Sequence, residues 1–225
     1  MVDQNHLNGK LVMKTQKISH VIIAFFVLLT CFSCDKEVVN EPIKFNKEIS
    51  YYNGDSLIHL NINPQMILVA FKEESYSKPQ AVNILKNYSE IDLNSDTICA
   101  RNRIFVYLKN GLTEDNYLKL LVQLNSIESV EYATPSFLVD NGRMFLTNKF
   151  FIETTKSENE FDTFLEDNSA YFSKVENYSA GNLFVVNKVD TGFDVLDYAN
   201  NINELVGIKY STPSFSRLLY PFDNK

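Results

Sequence analysis

The chain has 225 residues, with 21 basic and 28 acidic side chains and a formal net charge of −7. This acidic balance argues against a nucleic acid as partner, because phosphates bind to a basic protein face. Seventeen Phe and twelve Tyr residues, with no Trp, favour strand-prone cores that are rich in aromatic rings.

Residues 1–33 are typical of a signal peptide. Lys14 and Lys17 precede the apolar run 21–29, which is too short for a bilayer core that needs about 20 apolar residues. Met13 is the predicted start, because a signal peptide opens with a short basic stretch, whereas residues 1–12 add an acid and several polar groups. These residues are therefore left out of the predicted fold.

Without residues 1–33, which hold three lysines and one aspartate, the chain carries 18 basic and 27 acidic side chains, a net charge of −9. Besides Cys34, only Cys99 then remains, which excludes an internal disulfide framework. The 192 residues are enough for two cores of ordinary size.

Ser33-Cys34 resembles the end of a bacterial lipoprotein box, in which a small residue precedes a cysteine that is lipidated and becomes the mature N-terminus. Cys31 departs from the usual aliphatic residue of that box. The resemblance implies an exported lipoprotein held at a membrane of the cell envelope, the outer membrane being the expected one, by several acyl chains on Cys34. The alternative is an ordinary cysteine after a cleavable signal. In the lipoprotein interpretation, residues 34–48 are a polar tether that holds the folded part off the membrane.

One phrase occurs twice: Tyr132-Ala133-Thr134-Pro135-Ser136-Phe137 returns 78 residues later as Tyr210-Ser211-Thr212-Pro213-Ser214-Phe215. Apolar positions upstream keep the same spacing, and one residue of slippage aligns Ile104-Phe105-Val106 with Leu183-Phe184-Val185. A period near 80 residues is too long for a solenoid unit, so each copy is predicted to be a small domain.

The first domain, 49–140, opens with a hairpin around Asn53-Gly54, the strongest short hairpin signal. The pattern then predicts strand, helix, strand, strand, helix, strand. Ser77 and Thr113 are the predicted helix caps. The predicted elements are strand 66–71, a helix after Ser77 with Pro79 in its first turn, strands 90–99 and 103–109 around Arg101-Asn102, a helix after Thr113, and strand 130–137 with Pro135 at an edge or strand end.

The second domain, 141–216, repeats this order, and residues 217–225 form a C-terminal tail. Its predicted elements are strand 145–154, helix 158–167, strands 170–178 and 182–189, helix 193–205 and strand 207–215. The predicted fold is therefore α+β, with two tandem ferredoxin-like (βαββαβ) sandwiches, each an antiparallel sheet with helices on one face.

The phrase Val130-Glu131-Tyr132-Ala133-Thr134-Pro135-Ser136-Phe137 resembles the closing strand of the propeptide domain of subtilisin-like serine proteases, where Val-Glu-Tyr-Ala-Glu-Pro-Asn-Tyr is a common form. Residues 210–215 are similar, and the hairpin 51–55 resembles the start of tandem propeptide regions in such proteases of the Bacteroides group. In that family the propeptide helps the catalytic domain to fold and then inhibits it: its sheet packs on two surface helices of the protease and its tail lies through the active-site cleft.

The resemblance implies a non-catalytic protein that inhibits a subtilisin-like protease or helps it to fold. It gives the partner-binding role to the start of the tail, Ser216, Arg217, Leu218, Leu219 and Tyr220. The chain departs from the family where it stops at Lys225, since a catalytic domain should follow there. Two alternatives stay open: a surface lipoprotein that serves as an interaction or spacer module, and the remnant of a truncated protease precursor.

Three features imitate catalytic sites. His59 is the one histidine after the signal peptide and lacks the Gly-rich context of a subtilisin-like motif, so a structural or solvent-facing role is predicted. Cys99 could act as a nucleophile only with His59 as its base, and nothing in the sequence brings them together. Asp190-Thr191-Gly192 imitates an aspartate turn, but its position before a helix favours capping by Asp190 or Thr191.

Metal and phosphate chemistry have equally little support. The acids of 158–167 alternate with apolar residues, as on a solvated helix face, and the seven glycines form no phosphate loop. The sequence predicts no enzyme activity, no cofactor, no metal and no small-molecule substrate.

Overall fold

The computed structural model describes residue 45 and residues 48–93, 98–139 and 142–218, all of which belong to one unit, residues 41–225. The predicted signal peptide, Cys34, Leu219 and Tyr220 lie outside the described residues. No helix in the described ranges is long and apolar enough to cross a membrane. We call residues 48–139 the first half and residues 142–218 the second half.

Ten strands and four α-helices make up the described part of the chain, besides a 3-10 turn at Glu73–Ser75. The strands are β1 (Ile49–Asn53), β2 (Ser56–Phe71), β3 (Ile91–Asp92), β4 (Ile98–Ala100), β5 (Arg103–Leu108), β6 (Val130–Val139), β7 (Gly142–Thr154), β8 (Phe172–Tyr178), β9 (Gly181–Val186) and β10 (Ile208–Leu218). The helices are α1 (Lys78–Leu85), α2 (Glu114–Asn125), α3 (Glu158–Asp167) and α4 (Asp194–Asn203).

Local signals placed most of these elements correctly. The Ser77 hydroxyl accepts a hydrogen bond from the Gln80 amide at the start of α1, and the Thr113 hydroxyl does the same for Asn116 in α2. Helix α3 has the predicted bounds and starts with a capping box between Ser157 and Glu160. Three of the four helix starts therefore follow from side-chain capping.

The predicted cap of the last helix is wrong. Helix α4 begins at Asp194 after Phe193, which makes no side-chain cap. The Asp194 carboxylate instead accepts hydrogen bonds from the backbone amides of Asp190, Thr191 and Gly192, at 2.9–3.2 Å. The Thr191 hydroxyl adds a forward bond, because it accepts from the Phe193 amide at 3.2 Å and donates to Asp194 at 3.0 Å. The turn is thus held chiefly by the first residue of the helix, which bonds back to the loop.

The sheet is antiparallel at every described pairing, which confirms the predicted α+β class with an antiparallel sheet. Its strand order is β3-β5-β2-β6-β7-β9-β8, with β1 beside β2, β4 beside β5, and β10 beside β7. Each half therefore has the same internal order, in which the opening strand (β2 or β7) lies between the third strand (β5 or β9) and the closing strand (β6 or β10).

The repeated phrase lies where each closing strand loses register with its opening strand. Between β2 and β6 the pairing jumps from Asn63↔Ser136 to Ile67↔Pro135, so Pro135 stands inside its strand and not at a strand end. Between β7 and β10 a similar break separates Leu146↔Phe215 from Phe150↔Pro213. Proline has no N–H to give to the ladder, and hydroxyls replace the missing bonds: Ser136 donates to the Met66 carbonyl and Thr147 to the Ser214 carbonyl, both at 2.9 Å.

A second feature repeats with the same spacing and was not predicted. At the end of α2, the Asn125 side chain accepts from the Ala133 amide at 2.7 Å and donates to the Ala133 carbonyl at 2.9 Å. Asn203, 78 residues later, accepts from the Ser211 amide at 2.7 Å. Each asparagine serves the outer edge of a closing strand, as a neighbouring strand would.

We expect Asn125→Ala to lower the free energy of unfolding by about 1–3 kcal/mol, because the buried Ala133 amide loses its partner. Urea denaturation measures the change. Aspartate provides the matched comparison: at position 203 it can still accept from Ser211, whereas at position 125 it cannot donate to Ala133. Asn125→Asp should therefore cost more than Asn203→Asp, and equal losses would contradict the assigned bonds.

In the first half the sheet is strongly curved. Its concave side is the face opposite the helices, which we call the helix-free face. Strands β5 and β7 are separated by β2 and β6, which on a flat sheet would place them about 14 Å apart. The rings of Phe105 in β5 and Phe145 in β7 nevertheless meet edge to face, with centroids 4.6 Å apart. The Arg143 guanidinium of β7 also lies 5.8 Å from the ring centre of Tyr107 in β5.

This contact decides which residues of β5 face the helices. Since side chains alternate along a strand, Phe105 and Tyr107 face β7, and the buried Ile104 and Val106 are left for the helix side. Phe184 of β9, which the sequence alignment pairs with Phe105, faces the helices instead, because it meets Phe161 of α3. The sequence alignment of residues 104–106 with 183–185 is therefore one residue out of register, and such a slip exchanges the two faces.

Candidate functional site

The catalytic look-alikes of the sequence do not come together. His59 is exposed on β2 opposite Ser50, while Cys99 lies on β4 opposite Ile104, whose neighbour in β2 is Val69. Ten residues of β2 separate Val69 from His59, a distance on the order of 30 Å along an extended strand. Among the described residues, no group of three or more His, Cys, Asp or Glu is placed to hold a metal ion.

The backbone amides of the Asp190 turn are already hydrogen-bonded within the chain. Three backbone amides are directed at the Asp194 carboxylate, and the exposed Asp190 pairs with Lys188 at 2.6 Å, which raises the Lys188 pKa. An aspartic protease needs two such carboxylates that share one proton. Asp190 instead pairs with a lysine, in a loop that is held by its own hydrogen bonds.

The first three residues predicted to bind a partner belong to the sheet. Ser216, Arg217 and Leu218 lie in β10, where they pair with Phe145, Met144 and Arg143 of β7. The Ser216 hydroxyl also accepts from the Arg103 guanidinium at 3.5 Å. They would have to leave these pairings before they could enter a cleft.

Three aromatic side chains and one leucine form an open surface on the second half. We call this surface the aromatic face; its members are Phe151, Tyr178, Tyr210 and Leu183. Phe151 stacks on Tyr210 with ring centroids 5.9 Å apart and lies 6.3 Å from Tyr178, while Leu183 is its partner across the ladder. Tyr178 is 49% exposed, and the other three side chains are half-buried.

The aromatic face is directed away from the helices. Phe150, the neighbour of Phe151 in β7, stacks on Phe184, which meets Phe161 of α3. Alternation along β7 therefore puts Phe151 on the opposite, helix-free side. Gly181 allows its ring to lie flat there, because a Cβ at that position would stand 2.6 Å from the ring and 2.5 Å from the Ile152 carbonyl.

Charged groups at the border of the aromatic face have partners, either one another or a tyrosine of the face. Glu153 and Lys209 form an ion pair beside Tyr210, which lowers the Glu153 pKa and raises the Lys209 pKa. The Tyr178 hydroxyl donates to Glu176 at 2.6 Å, and this bond raises the Tyr178 pKa. These bonds satisfy Glu153, Lys209 and Glu176 at the rim and leave an apolar centre around Phe151, an arrangement of polar rim and apolar centre that is typical of protein-binding surfaces.

The same position of the repeat has a different environment in the first half. Tyr132, the counterpart of Tyr210, is only 1% exposed, and burial raises its pKa to about 12 although the Arg103 cation opposes the shift. Phe145, Arg143 and Ser216 cover this region from β7 and β10. Of the two helix-free faces, the second is thus the one that remains open.

The sequence paired Tyr132 with Tyr210, but it gave no sign that one would be buried and the other open. That difference depends on the curl of the sheet, which brings distant strands together. Chemically, the aromatic face can bind an apolar surface, and among its four members there is no nucleophile with a base. Comparison of the chain with protein-family models, with curated proteins and with solved structures finds no match.

Proposed function

We propose that this is a non-catalytic protein made of two tandem ferredoxin-like sandwiches, which binds a subtilisin-like protease as its inhibitor or folding helper. The strand order supports the fold assignment, because each half places its opening strand between its third and closing strands, as a βαββαβ sandwich does. The resemblance of both closing strands to those of protease propeptides supports the choice of partner.

The observation that carries the proposal is the open aromatic face on the helix-free side of the second half. The family resemblance implies contact between such a sheet face and surface helices of the protease. Phe151, Tyr178 and Tyr210 offer the large, rigid side chains that usually supply most of the binding energy in an interface. The covered face of the first half could not make this contact without opening the sheet.

The tail has a smaller part in this proposal than the sequence alone suggested. Because Ser216, Arg217 and Leu218 are paired in β10, a segment that enters the active-site cleft would start at Leu219. Leu219 and Tyr220 keep the proposed partner-binding role, and the sheet face makes the main contact.

Inhibition of a panel of subtilisin-like proteases by residues 34–225 tests the proposal. We expect the wild-type protein to inhibit at micromolar concentration or below, and Tyr178→Ala to weaken inhibition at least about tenfold, since it removes the most exposed aromatic side chain of the aromatic face. Tyr171→Ala is the matched control, because Tyr171 is similarly exposed, at 53% against 49%, but contacts Tyr198 of α4 instead. Equal effects of the two substitutions, or no inhibition of any protease, would contradict the proposal.

We further propose that Cys34 anchors the protein to the outer membrane through acyl chains. Phe45 meets Tyr117 of α2 edge to face, with centroids 5.2 Å apart, so the chain already contacts the fold at this point of the predicted tether. The eleven Cα–Cα steps from Cys34 to Phe45 span no more than about 40 Å when fully extended, which would keep the partner close to the lipid surface.

Replacing Cys34 with serine should release the protein from membranes, because the acyl chains could no longer be attached. Fractionation of cells that express the full chain measures this, and Cys99→Ser is the control that should stay with the membrane. Unchanged fractionation of Cys34→Ser would remove the anchor from the proposal.

A further inference from the structure

The helix-free face of the first half is closed by parts of the second half. Phe105 meets Phe145 with ring centroids 4.6 Å apart, and the two side chains are 5% and 0% exposed. Arg143 lies over Tyr107, and Arg103 reaches Ser216 at the far end of β10. β7 and β10 therefore fill the surface that β5, β2 and β6 would otherwise present.

The two copies of the repeated phrase share five of six residues but differ in exposure. Tyr132 and Tyr210 occupy the same position of the phrase, yet Tyr132 is almost fully buried and Tyr210 belongs to the aromatic face. In the first half, Thr134 donates to the Leu146 carbonyl of β7 at 2.6 Å, which ties the closing strand to the chain that covers it.

We infer that the two halves have divided their roles: the first half is a socket that holds β7 and β10, and the second half alone binds, so that one chain holds one partner molecule. The inference rests on the proposed function for the identity of the partner. The socket also fixes the strands from which Phe151 and Tyr210 project, and a surface that is rigid before binding loses less conformational entropy on binding.

Hydroxyl-radical footprinting of the wild-type protein without partner tests the division of exposure. We expect Tyr178 and Tyr210 to be oxidised at least about ten times faster than Tyr132, because a covered ring reacts only after the sheet opens. The urea-unfolded protein is the control, in which the three tyrosines should react alike. Equal rates for Tyr132 and Tyr210 in the folded protein would overturn the inference, whether or not a protease binds.

Titration with an inactivated subtilisin-like protease, followed by native mass spectrometry, tests the stoichiometry. One protease per chain is expected, together with protection of Tyr178 and Tyr210, but not of Tyr171, in the footprint. Two proteases per chain would overturn the inference and leave the proposed function standing. Absence of any complex would overturn the proposed function and the stoichiometry together. The footprint of the free protein would still show whether the first half is covered by β7 and β10.

Discussion

Gly192→Ala is expected to lower the free energy of unfolding by roughly 3 kcal/mol, about three times the loss from Gly111→Ala. Both glycines have a left-handed backbone, with φ of 85° and 83°, so an alanine is strained by a similar amount at each. At Gly111 nothing lies within 4 Å of the added Cβ, whereas at Gly192 the Cβ would stand 2.8 Å from the Ala133 carbonyl oxygen and 3.2 Å from Leu121.

The neighbours of Gly192 have little freedom to move. Ala133 is fully buried in β6, and its carbonyl oxygen already accepts a hydrogen bond from Asn125. Overpacking against a fixed group costs about 1–3 kcal/mol beyond the backbone strain. The added methyl group would therefore push the turn before α4, which belongs to the second half, away from α2 and β6 of the first.

Urea denaturation of both variants measures the difference. Gly111→Ala controls for backbone strain and for the reduced entropy of the unfolded chain, which the two substitutions share. If the two losses were equal, the close approach of Gly192 to Ala133 would have no energetic weight. A single transition in both variants would further indicate that the two halves unfold together.

The β1–β2 hairpin gives a second reason to expect such coupling. It opens the first half, yet the Asn200 side chain of α4 donates to the Ser50 carbonyl at 2.9 Å, and Tyr51 packs on Phe215 of β10 with ring centroids 5.0 Å apart. Phe215 also meets Phe137 of β6. Residues from both ends of the described chain thus share one aromatic cluster.

Local structure could be predicted from the sequence because its causes are local. Ser77, Thr113 and the turn at Gly54 act within a few residues, so that helix starts and the hairpin followed from residue type alone. The repeat added the succession of strands and helices along the second half. The turn before α4 was predicted wrongly because Asp194, inside the helix, bonds back to the amides of Asp190, Thr191 and Gly192, whereas capping rules consider bonds from the loop forward to the helix.

Facing and exposure could not be predicted, because they depend on contacts between distant strands. In β5 both alternating sets of side chains are apolar, and the contacts of Phe105 with Phe145 and of Tyr107 with Arg143 show which set is turned away from the helices. For the same reason, Tyr132 and Tyr210 could be aligned but not told apart. The aromatic face follows from contacts of Phe150 and Phe151 that the sequence did not show. The asparagines of the two closing strands, in contrast, could have been found by extending the 78-residue offset to polar positions.

Alkaline pH is expected to remove roughly 3 kcal/mol or more of stability between about pH 10 and 12, through two buried tyrosines. Burial raises the pKa of Tyr132 to about 12, and burial also raises the pKa of Tyr117, which is fully enclosed. An unfolded tyrosine loses its proton near pH 10. Below that pH both states are protonated and the contribution is fully present. Above it the unfolded chain binds fewer protons than the folded one, so stability falls until the folded pKa is passed.

Tyr132→Phe isolates one of these groups, because it keeps the ring and removes the hydroxyl that titrates. We expect the variant to unfold much like the wild type at about pH 8, and to be more stable by roughly 2–3 kcal/mol at about pH 12, as urea denaturation at each pH would measure. Tyr178→Phe is the control, since Tyr178 is 49% exposed and solvent screens the bond of its hydroxyl to Glu176, so that its ionisation has little effect on folding. If the two variants lost stability in parallel with the wild type as the pH rose, Tyr132 would not be the buried group that the curled sheet encloses.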